Sequence, residues 1–189
     1  MRRAEKKDYL LDEAIRLFNR YGYHAMGVDR LMAETGIAKT TLYRHFGSKE
    51  GLILAALAKV DEVSRDEMRA FVEKASDDPV KRILAIFDLL AVWFADPEFK
   101  GCPFIAAAGE FSAPSDPVFQ QARQHKRLTL AYVDELARAA RLPEPKRLSQ
   151  QLTLLLEGAI IYAMIMGPEG VAANAKRAAE RLISAAARS

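Results

Sequence analysis

Hydrogen-bonding side chains crowd into one short segment near the N-terminus of this chain. Residues 39–45 read Lys-Thr-Thr-Leu-Tyr-Arg-His, so every position except Leu42 carries a donor or an acceptor. Side chains of these types grip phosphates and read base edges in the major groove of DNA. If the segment is a helix, Leu42 joins a core and the other side chains remain free to meet a nucleic acid.

The distribution of charge agrees with a polyanion contact at the N-terminus. Lys and Arg exceed Asp and Glu by three within the first fifty residues, which accounts for the whole net charge of +3. Basic side chains gain affinity by releasing counterions condensed on phosphates. A non-specific DNA-coating protein is the alternative here, and the balanced charge of the remaining chain argues against it.

The sequence carries no signature of catalysis or of metal binding. It has no glycine-rich phosphate loop, no Gly-x-Ser-x-Gly elbow and no Cys/His pair at metal-ligand spacing. Its three histidines, His24, His45 and His125, are far apart in sequence. We therefore expect a protein that is not an enzyme and that needs no cofactor or metal.

The elements around residues 39–45 predict a helix-turn-helix. A first helix ends at Gly22, a short second helix runs over 28–34, and the third covers 39–45. Gly36 turns the chain, Ile37 fills the turn, and Ala33 is the small residue expected where the two helices approach. Ser48 is a good N-cap for a long fourth helix that joins this region to the rest.

Proline and glycine occur at intervals typical of connections between helices, and nothing between them has the pattern of a strand. The fold class predicted is therefore all-α, with about nine helices. The predicted helices cover residues 10–21, 28–34, 39–45, 48–72, 79–94, 101–111, 117–141, 147–166 and 171–187.

Two runs of the sequence resemble the tetracycline-repressor (TetR) family of bacterial regulators: residues 22–28 (Gly-Tyr-His-Ala-Met-Gly-Val) and residues 36–52 (Gly-Ile-Ala-Lys-Thr-Thr-Leu-Tyr-Arg-His-Phe-Gly-Ser-Lys-Glu-Gly-Leu). The resemblance implies a helix-turn-helix DNA-binding domain over residues 1–50 and a helical ligand-binding and dimerisation domain over residues 51–189. It also implies a homodimeric regulator, most often a repressor, that binds palindromic double-stranded operator DNA and is released by a small-molecule effector.

By position, the resemblance assigns base or nearby phosphate contacts to Lys39, Thr40, Thr41 and Arg44, and phosphate-backbone contacts to Tyr43, His45 and Lys49. Residues Arg2, Arg3, Lys6 and Lys7 form a candidate basic arm. The chain departs from the family at the starts of the second and third helices, where Gly27 or Val28 and then Ala38 replace hydroxyl-bearing residues. We assign no phosphate contact to these positions.

The last two predicted helices each have an apolar face wide enough to pack against another helix. We expect these faces to meet their symmetry copies in a four-helix dimer interface, and the alternative is that they complete the core of a single chain. Gly158 suits a close approach by another helix. The two faces comprise Leu148, Leu152, Leu155, Leu156, Ala159, Ile160 and Ala163, and then Ala172, Ala175, Ala179, Leu182, Ile183 and Ala186.

The family resemblance also implies an effector pocket among the middle helices. Its expected lining is mostly large and apolar, which favours an apolar or aromatic effector. Glu110 and Glu157 are candidate polar groups within apolar sequence. The expected lining residues are Trp93, Phe94, Cys102, Phe104, Phe111, Tyr132, Leu155 and Tyr162.

The single cysteine, Cys102, allows an alternative in which the regulator responds to oxidants or electrophiles, and a buried inert cysteine is the other interpretation. A lone cysteine excludes a disulfide-stapled secreted fold. The first residues are charged and lack the apolar core of a signal peptide, and the stretch 152–166, interrupted by Glu157, is shorter than a bilayer span. We expect a cytoplasmic protein without a membrane partner.

Overall fold

The computed structural model describes residues 3–188, with side chains from Glu5 onward. Over these residues the chain forms nine α-helices and no strand, which confirms the predicted all-α fold. Most helix ends lie within three residues of their predicted positions, and the largest difference is that α1 begins at Arg3. The helices are α1 (Arg3–Tyr21), α2 (Val28–Thr35), α3 (Lys39–Phe46), α4 (Lys49–Ala75), α5 (Pro79–Phe94), α6 (Pro103–Glu110), α7 (Pro117–Ala139), α8 (Pro145–Met166) and α9 (Val171–Ala186).

Side-chain caps explain why several helices begin where they do. The hydroxyl of Ser48 accepts a hydrogen bond from the Gly51 N–H at 2.9 Å, in the first turn of α4. Asp78 accepts from two N–H groups at the start of α5, and Asp116 accepts from the Val118 N–H at 2.8 Å at the start of α7. Each cap satisfies donors that the first turn of a helix otherwise leaves unpaired.

The chain divides into two compact units. The first contains the chain up to Val63 together with Pro103–His125, and the second contains Ser64–Cys102 together with the chain from Lys126 onward. Helices α4 and α7 therefore each contribute residues to both units. The domain boundary predicted at residue 50 separates DNA binding from the other functions and need not coincide with the division into compact units. It stays a prediction.

In the first unit, α1, α2 and α3 contact one another around an apolar core. The predicted role of Ala33 at the approach of α2 and α3 is wrong, because Ala33 is exposed. Thr35 is the buried polar residue of α2. Its hydroxyl donates to the Leu31 carbonyl at 2.8 Å and accepts from the Ile37 N–H at 3.3 Å, which satisfies polar groups beside the turn. The fully buried core side chains include Leu10, Leu17, Met26, Leu31, Leu42, Leu52 and Leu57.

In the second unit, α5, α8 and α9 pack together. Most of the apolar faces predicted on α8 and α9 is buried within this unit, including Leu152, Ile160, Ala179 and Ile183. The prediction that these two faces meet symmetry copies is therefore wrong. The alternative, that they complete the core of one chain, is correct.

Helix α8 is long and apolar enough to cross a bilayer by length and composition alone, with a mean hydropathy of 1.4 over an 18-residue window. The expectation from sequence considered a shorter stretch, so its length argument does not apply to this helix. Leu148, Leu152, Leu156 and Ile160 on its inner face are buried in the second unit, as in a core helix.

Candidate nucleic-acid interface

Helix α3 presents one polar face to solvent. Lys39, Thr40, Tyr43 and Arg44 are exposed, whereas Leu42 is 0% exposed on the opposite side. Residues three or four positions apart share a helix face, and the pairs 39/43, 40/43 and 40/44 link the four exposed side chains into a single surface. Thr41 and His45 are half-buried, and helical spacing turns them away from the centre of this surface. The predicted reading residues thus lie together along one short helix.

The turn before α3 has the geometry that a helix-turn-helix requires. Gly36 has φ +67°, a left-handed conformation that favours glycine, and its N–H donates to the Met32 carbonyl at the end of α2. Neither Gly27 before α2 nor Ala38 before α3 provides a side-chain cap. The first turns of both helices therefore receive no side-chain acceptor at the cap position, although the Thr41 N–H of α3 donates to the Ala38 carbonyl at 2.9 Å.

Lys39 forms an ion pair with Asp29 on α2, a contact that the sequence analysis missed. The hydrogen bond and the charge of Asp29 raise the pKa of Lys39. Both side chains are exposed, so the pair adds little stability in water. The Asp29 carboxylate therefore competes with DNA phosphates for Lys39, a side chain predicted to contact bases or nearby phosphates.

Lys49 lies in the first turn of α4, directly after the Ser48 cap. Its Nζ donates to the His24 carbonyl in the α1–α2 loop at 3.5 Å. Partial burial lowers the pKa of Lys49, and the negative charge of Glu110 opposes this effect. A nearby phosphate would stabilise the charged form of this ammonium further. In the candidate basic arm, Lys6 and Lys7 are exposed, while Arg2 and the side chain of Arg3 lie outside the described residues.

Two predicted pocket residues of the first unit pack against histidines. Phe104 stacks on His125 with ring centroids 3.7 Å apart, and Phe111 stacks on His24 at 4.6 Å. Glu110, a candidate polar group for the pocket, instead binds the α1–α2 loop through its carboxylate, which accepts from the Tyr23 N–H at 2.8 Å. In this structure Phe111 and Glu110 both contact the α1–α2 loop.

Among the predicted pocket residues of the second unit, Trp93 and Phe94 form an aromatic cluster with Phe99, with ring centroids 5.0 to 6.2 Å apart. Leu155 is half-buried. Tyr162 is 57% exposed on the outer side of α8, so the structure assigns it to that surface rather than to an interior lining.

Tyr132, also in the second unit, lines a cleft of about 100 Å³ between α4 and α7. Its ring lies 4.2 Å from the Arg69 guanidinium, and its buried hydroxyl has no hydrogen-bond partner. Burial raises the pKa of Tyr132. The full lining is Arg65, Met68, Arg69, Leu128, Ala131, Tyr132 and Glu135.

Cys102 is buried in the second unit and has a basic neighbour. The Nζ of Lys126 lies 3.3 Å from its Sγ and 2.7 Å from Oε2 of Glu157. Glu157, predicted as a polar group in apolar sequence, is therefore half of a partly buried ion pair. Within residues 3–188, no three His, Cys, Asp or Glu side chains are grouped to hold a metal ion.

Comparison with known families accounts for most of the chain. The family described as "Bacterial regulatory proteins, tetR family" matches residues 10–56, and that described as "Tetracyclin repressor-like, C-terminal domain" matches residues 79–179. The second match alone spans more than half of the chain. The chain belongs to the TetR family. It is accordingly a DNA-binding transcriptional regulator with a helix-turn-helix, and members of this family are not enzymes.

Individual transcriptional regulators resemble the chain over different parts of its length. The crystal structure of SCO4454 from Streptomyces coelicolor superposes with a TM-score of 0.87 at 30% identity, covering 97% of each chain. The regulator LmrA of Bacillus subtilis is 28% identical over 165 residues, which is 85% of this chain and 87% of that protein. The transcriptional activator FasR of Mycolicibacterium smegmatis is 42% identical over 57 residues, 30% of this chain and 26% of that protein.

Replacing Asp29 tests whether its carboxylate restrains Lys39. In Asp29→Asn, we expect affinity for operator and for random duplex to rise about three- to tenfold, because Lys39 is released to phosphate and one repulsive charge is removed. Titration of labelled duplex at several salt concentrations measures both effects. Asp66→Asn, which removes an exposed carboxylate from α4, is the control. Equal behaviour of the two variants would contradict the assignment.

Proposed function

We propose that this TetR-family regulator binds palindromic operator DNA as a homodimer, represses transcription, and is released by a small-molecule effector in the cytoplasm. The observation that carries the DNA-reading part is the exposed polar face of α3, with Leu42 buried behind it. A rigid helix with donors on one side fits the major groove, and two copies one helical turn apart read a palindrome. FasR is named an activator, so the sign of control in this chain is part of the proposal.

Within this proposal the DNA contacts are divided by type. Lys39, Thr40, Thr41 and Arg44 read bases or adjacent phosphates, while Tyr43, His45 and Lys49 hold the phosphate backbone. The support is geometric: Tyr43 shares a helix face with Lys39, Arg44 shares one with Thr40, all four are exposed, and Lys49 begins the helix that follows. Phosphate contacts add affinity for every sequence, whereas base contacts discriminate between sequences.

This division predicts two classes of variant. Lys49→Ala and Tyr43→Phe should weaken binding to operator and to random duplex alike, and Lys49→Ala should reduce the salt slope by about one. Lys39→Ala and Thr41→Ala should instead change which operator bases are preferred. Selection from a randomised duplex library, followed by titration at several salt concentrations, measures both. Wild-type behaviour in all four variants would show that the residue assignment is wrong.

The outer side of α8 is the surface that we propose for the homodimer. Leu154, Ile161, Tyr162 and Ile165 recur at helical spacing along this side, and Leu154 and Ile165 are 73% and 67% exposed. Gly158 lies in the same row, and apart from its chain neighbours and the backbone of its own helix no described atom lies within 4 Å of the position that a Cβ would occupy there. An exposed apolar row with a glycine at its centre suits close packing against an identical helix.

A charge in this row should disrupt the dimer. We expect Ile165→Glu to sediment as a monomer at micromolar concentration and to bind operator at least tenfold more weakly, because a single chain presents only one reading helix. Sedimentation velocity and operator titration measure the two effects. Gln124→Glu, which adds a negative charge at an exposed polar position of α7, away from this row, should remain dimeric. An Ile165→Glu variant that sediments like the wild type would contradict the proposed interface.

For the effector, the second unit offers two buried hydroxyl groups without partners, Tyr132 Oη and Thr153 Oγ1. Buried polar atoms are normally hydrogen-bonded, so each of these hydroxyls is a position where a ligand could supply a partner. The proposed effector is an apolar or aromatic molecule, and its proposed lining in the second unit is Trp93, Phe94, Cys102, Tyr132 and Leu155. Phe104 and Phe111 belong to the first unit, and Tyr162 lies on the outer side of α8, so these three are left out. The effector shifts the regulator only as far as it prefers the conformation that does not bind DNA. Helix α4, shared by both units, is the proposed route of that shift.

The contact between Lys126 and Cys102 favours a second candidate, a regulator that responds to oxidants. The thiolate is the reactive form of cysteine, and a nearby ammonium stabilises thiolates in general. On this alternative, hydrogen peroxide should abolish operator binding by the wild type, and dithiothreitol should restore it. Cys102→Ser should bind operator with or without peroxide. If the wild type keeps its affinity in peroxide, or Cys102→Ser loses it, this alternative is wrong.

A further inference from the structure

Glu110, the last residue of α6, binds a loop that precedes it by more than eighty positions in sequence. One carboxylate oxygen, Oε1, accepts from the Tyr23 N–H at 2.8 Å. The other, Oε2, accepts from the His24 N–H at 2.6 Å and lies 3.0 Å from Nδ1 of the His24 ring. Hydrogen bonds to an ionised carboxylate are roughly twice as strong as neutral ones, so this contact fixes the α1–α2 loop firmly.

Neighbouring residues hold the contact between Glu110 and the α1–α2 loop in one geometry. The Tyr23 hydroxyl donates to the Pro103 carbonyl at the other end of α6, at 3.1 Å. The ring of Phe111 stacks on that of His24. Gly22 has φ +84°, and a Cβ there would lie 2.8 Å from Oε1 of Glu110, so a side chain at this position would displace the carboxylate. Both ends of α6 are thus tied to the same loop.

The loop held by Glu110 is also the loop that meets Lys49. The Nζ of Lys49 donates to the carbonyl of His24, whose N–H is bound by Glu110. Glu110 holds the backbone N–H of His24, and Lys49 binds the backbone carbonyl of the same residue. The position of the His24 carbonyl therefore depends on the Glu110 carboxylate. Glu110 itself carries a negative charge and would repel a phosphate, which excludes a direct contact with DNA as its role.

We propose that Glu110 is a positioning residue for DNA binding, which holds the α1–α2 loop so that Lys49 is presented to the phosphate backbone. The inference rests on the proposed function, in which Lys49 is a phosphate contact. It assigns to α6, outside the helix-turn-helix, a direct part in setting the DNA affinity of the first unit.

Glu110→Gln is the sharpest test. Glutamine keeps one acceptor oxygen but turns an N–H₂ group toward the second loop N–H, so one of the two backbone hydrogen bonds is lost. We expect operator affinity to fall about tenfold, the effect of one charge-assisted hydrogen bond, and the salt slope to fall by about one. Glu110→Asp, which keeps the carboxylate on a shorter side chain, should recover part of the affinity. Glu62→Gln, an exposed residue of α4, controls for the change in net charge and should bind like the wild type.

Combining Glu110→Gln with Lys49→Ala separates positioning from general stabilisation. If Glu110 acts through Lys49, the double variant binds operator no more weakly than Lys49→Ala alone. Two independent losses that add would overturn the inference, and so would a Glu110→Gln variant that binds like the wild type while Lys49→Ala is weak. If Glu110→Gln does not fold, the same cycle is run with Glu110→Asp. Failure of wild-type protein to prefer operator over random duplex would overturn the proposed function itself.

Discussion

The burial of Leu42 decides how this protein can meet DNA. Helix α3 is only eight residues long and makes too few hydrogen bonds to hold its orientation alone. With Leu42 at 0% exposure in the core shared with α1 and α2, the opposite face is forced outward. Lys39, Tyr43 and Arg44 are exposed because of that one apolar contact. Removing a buried leucine of this kind costs about 2–5 kcal/mol, so the same side chain sets both the stability and the reading surface.

Two carboxylates then adjust what α3 and α4 offer. Asp29 engages Lys39 on the surface, and Glu110 fixes the loop on which Lys49 rests. Asp29 limits the availability of the Lys39 ammonium, and Glu110 sets the position of the loop carbonyl that binds the Lys49 ammonium. In a protein whose net charge is only +3, the placement of individual basic groups matters more than their number.

The positions of the helices could be predicted well from the sequence, whereas the residues that each helix contacts could not. Helix ends were predictable because Gly36, Ser48, Asp78 and Asp116 act locally through backbone conformation or capping. The exposure of Ala33 and the use of Glu110 were not, because both depend on residues brought together by packing. The same limit applied to α8 and α9: periodicity identified apolar faces, but it could not tell which neighbour covers them. The row from Leu154 to Ile165 was missed because α8 is apolar on both sides, which hides its outer face within a strongly hydrophobic sequence.

The most direct measurement is a footprint of purified protein on the DNA upstream of its own coding sequence, combined with the stoichiometry of the complex. We expect discrete protection of two half-sites whose centres are one helical turn apart, with saturation at two or another even number of chains per duplex. Uniform protection that random competitor DNA removes equally well, or saturation by a single chain, would contradict the claim that α3 is presented twice to one operator.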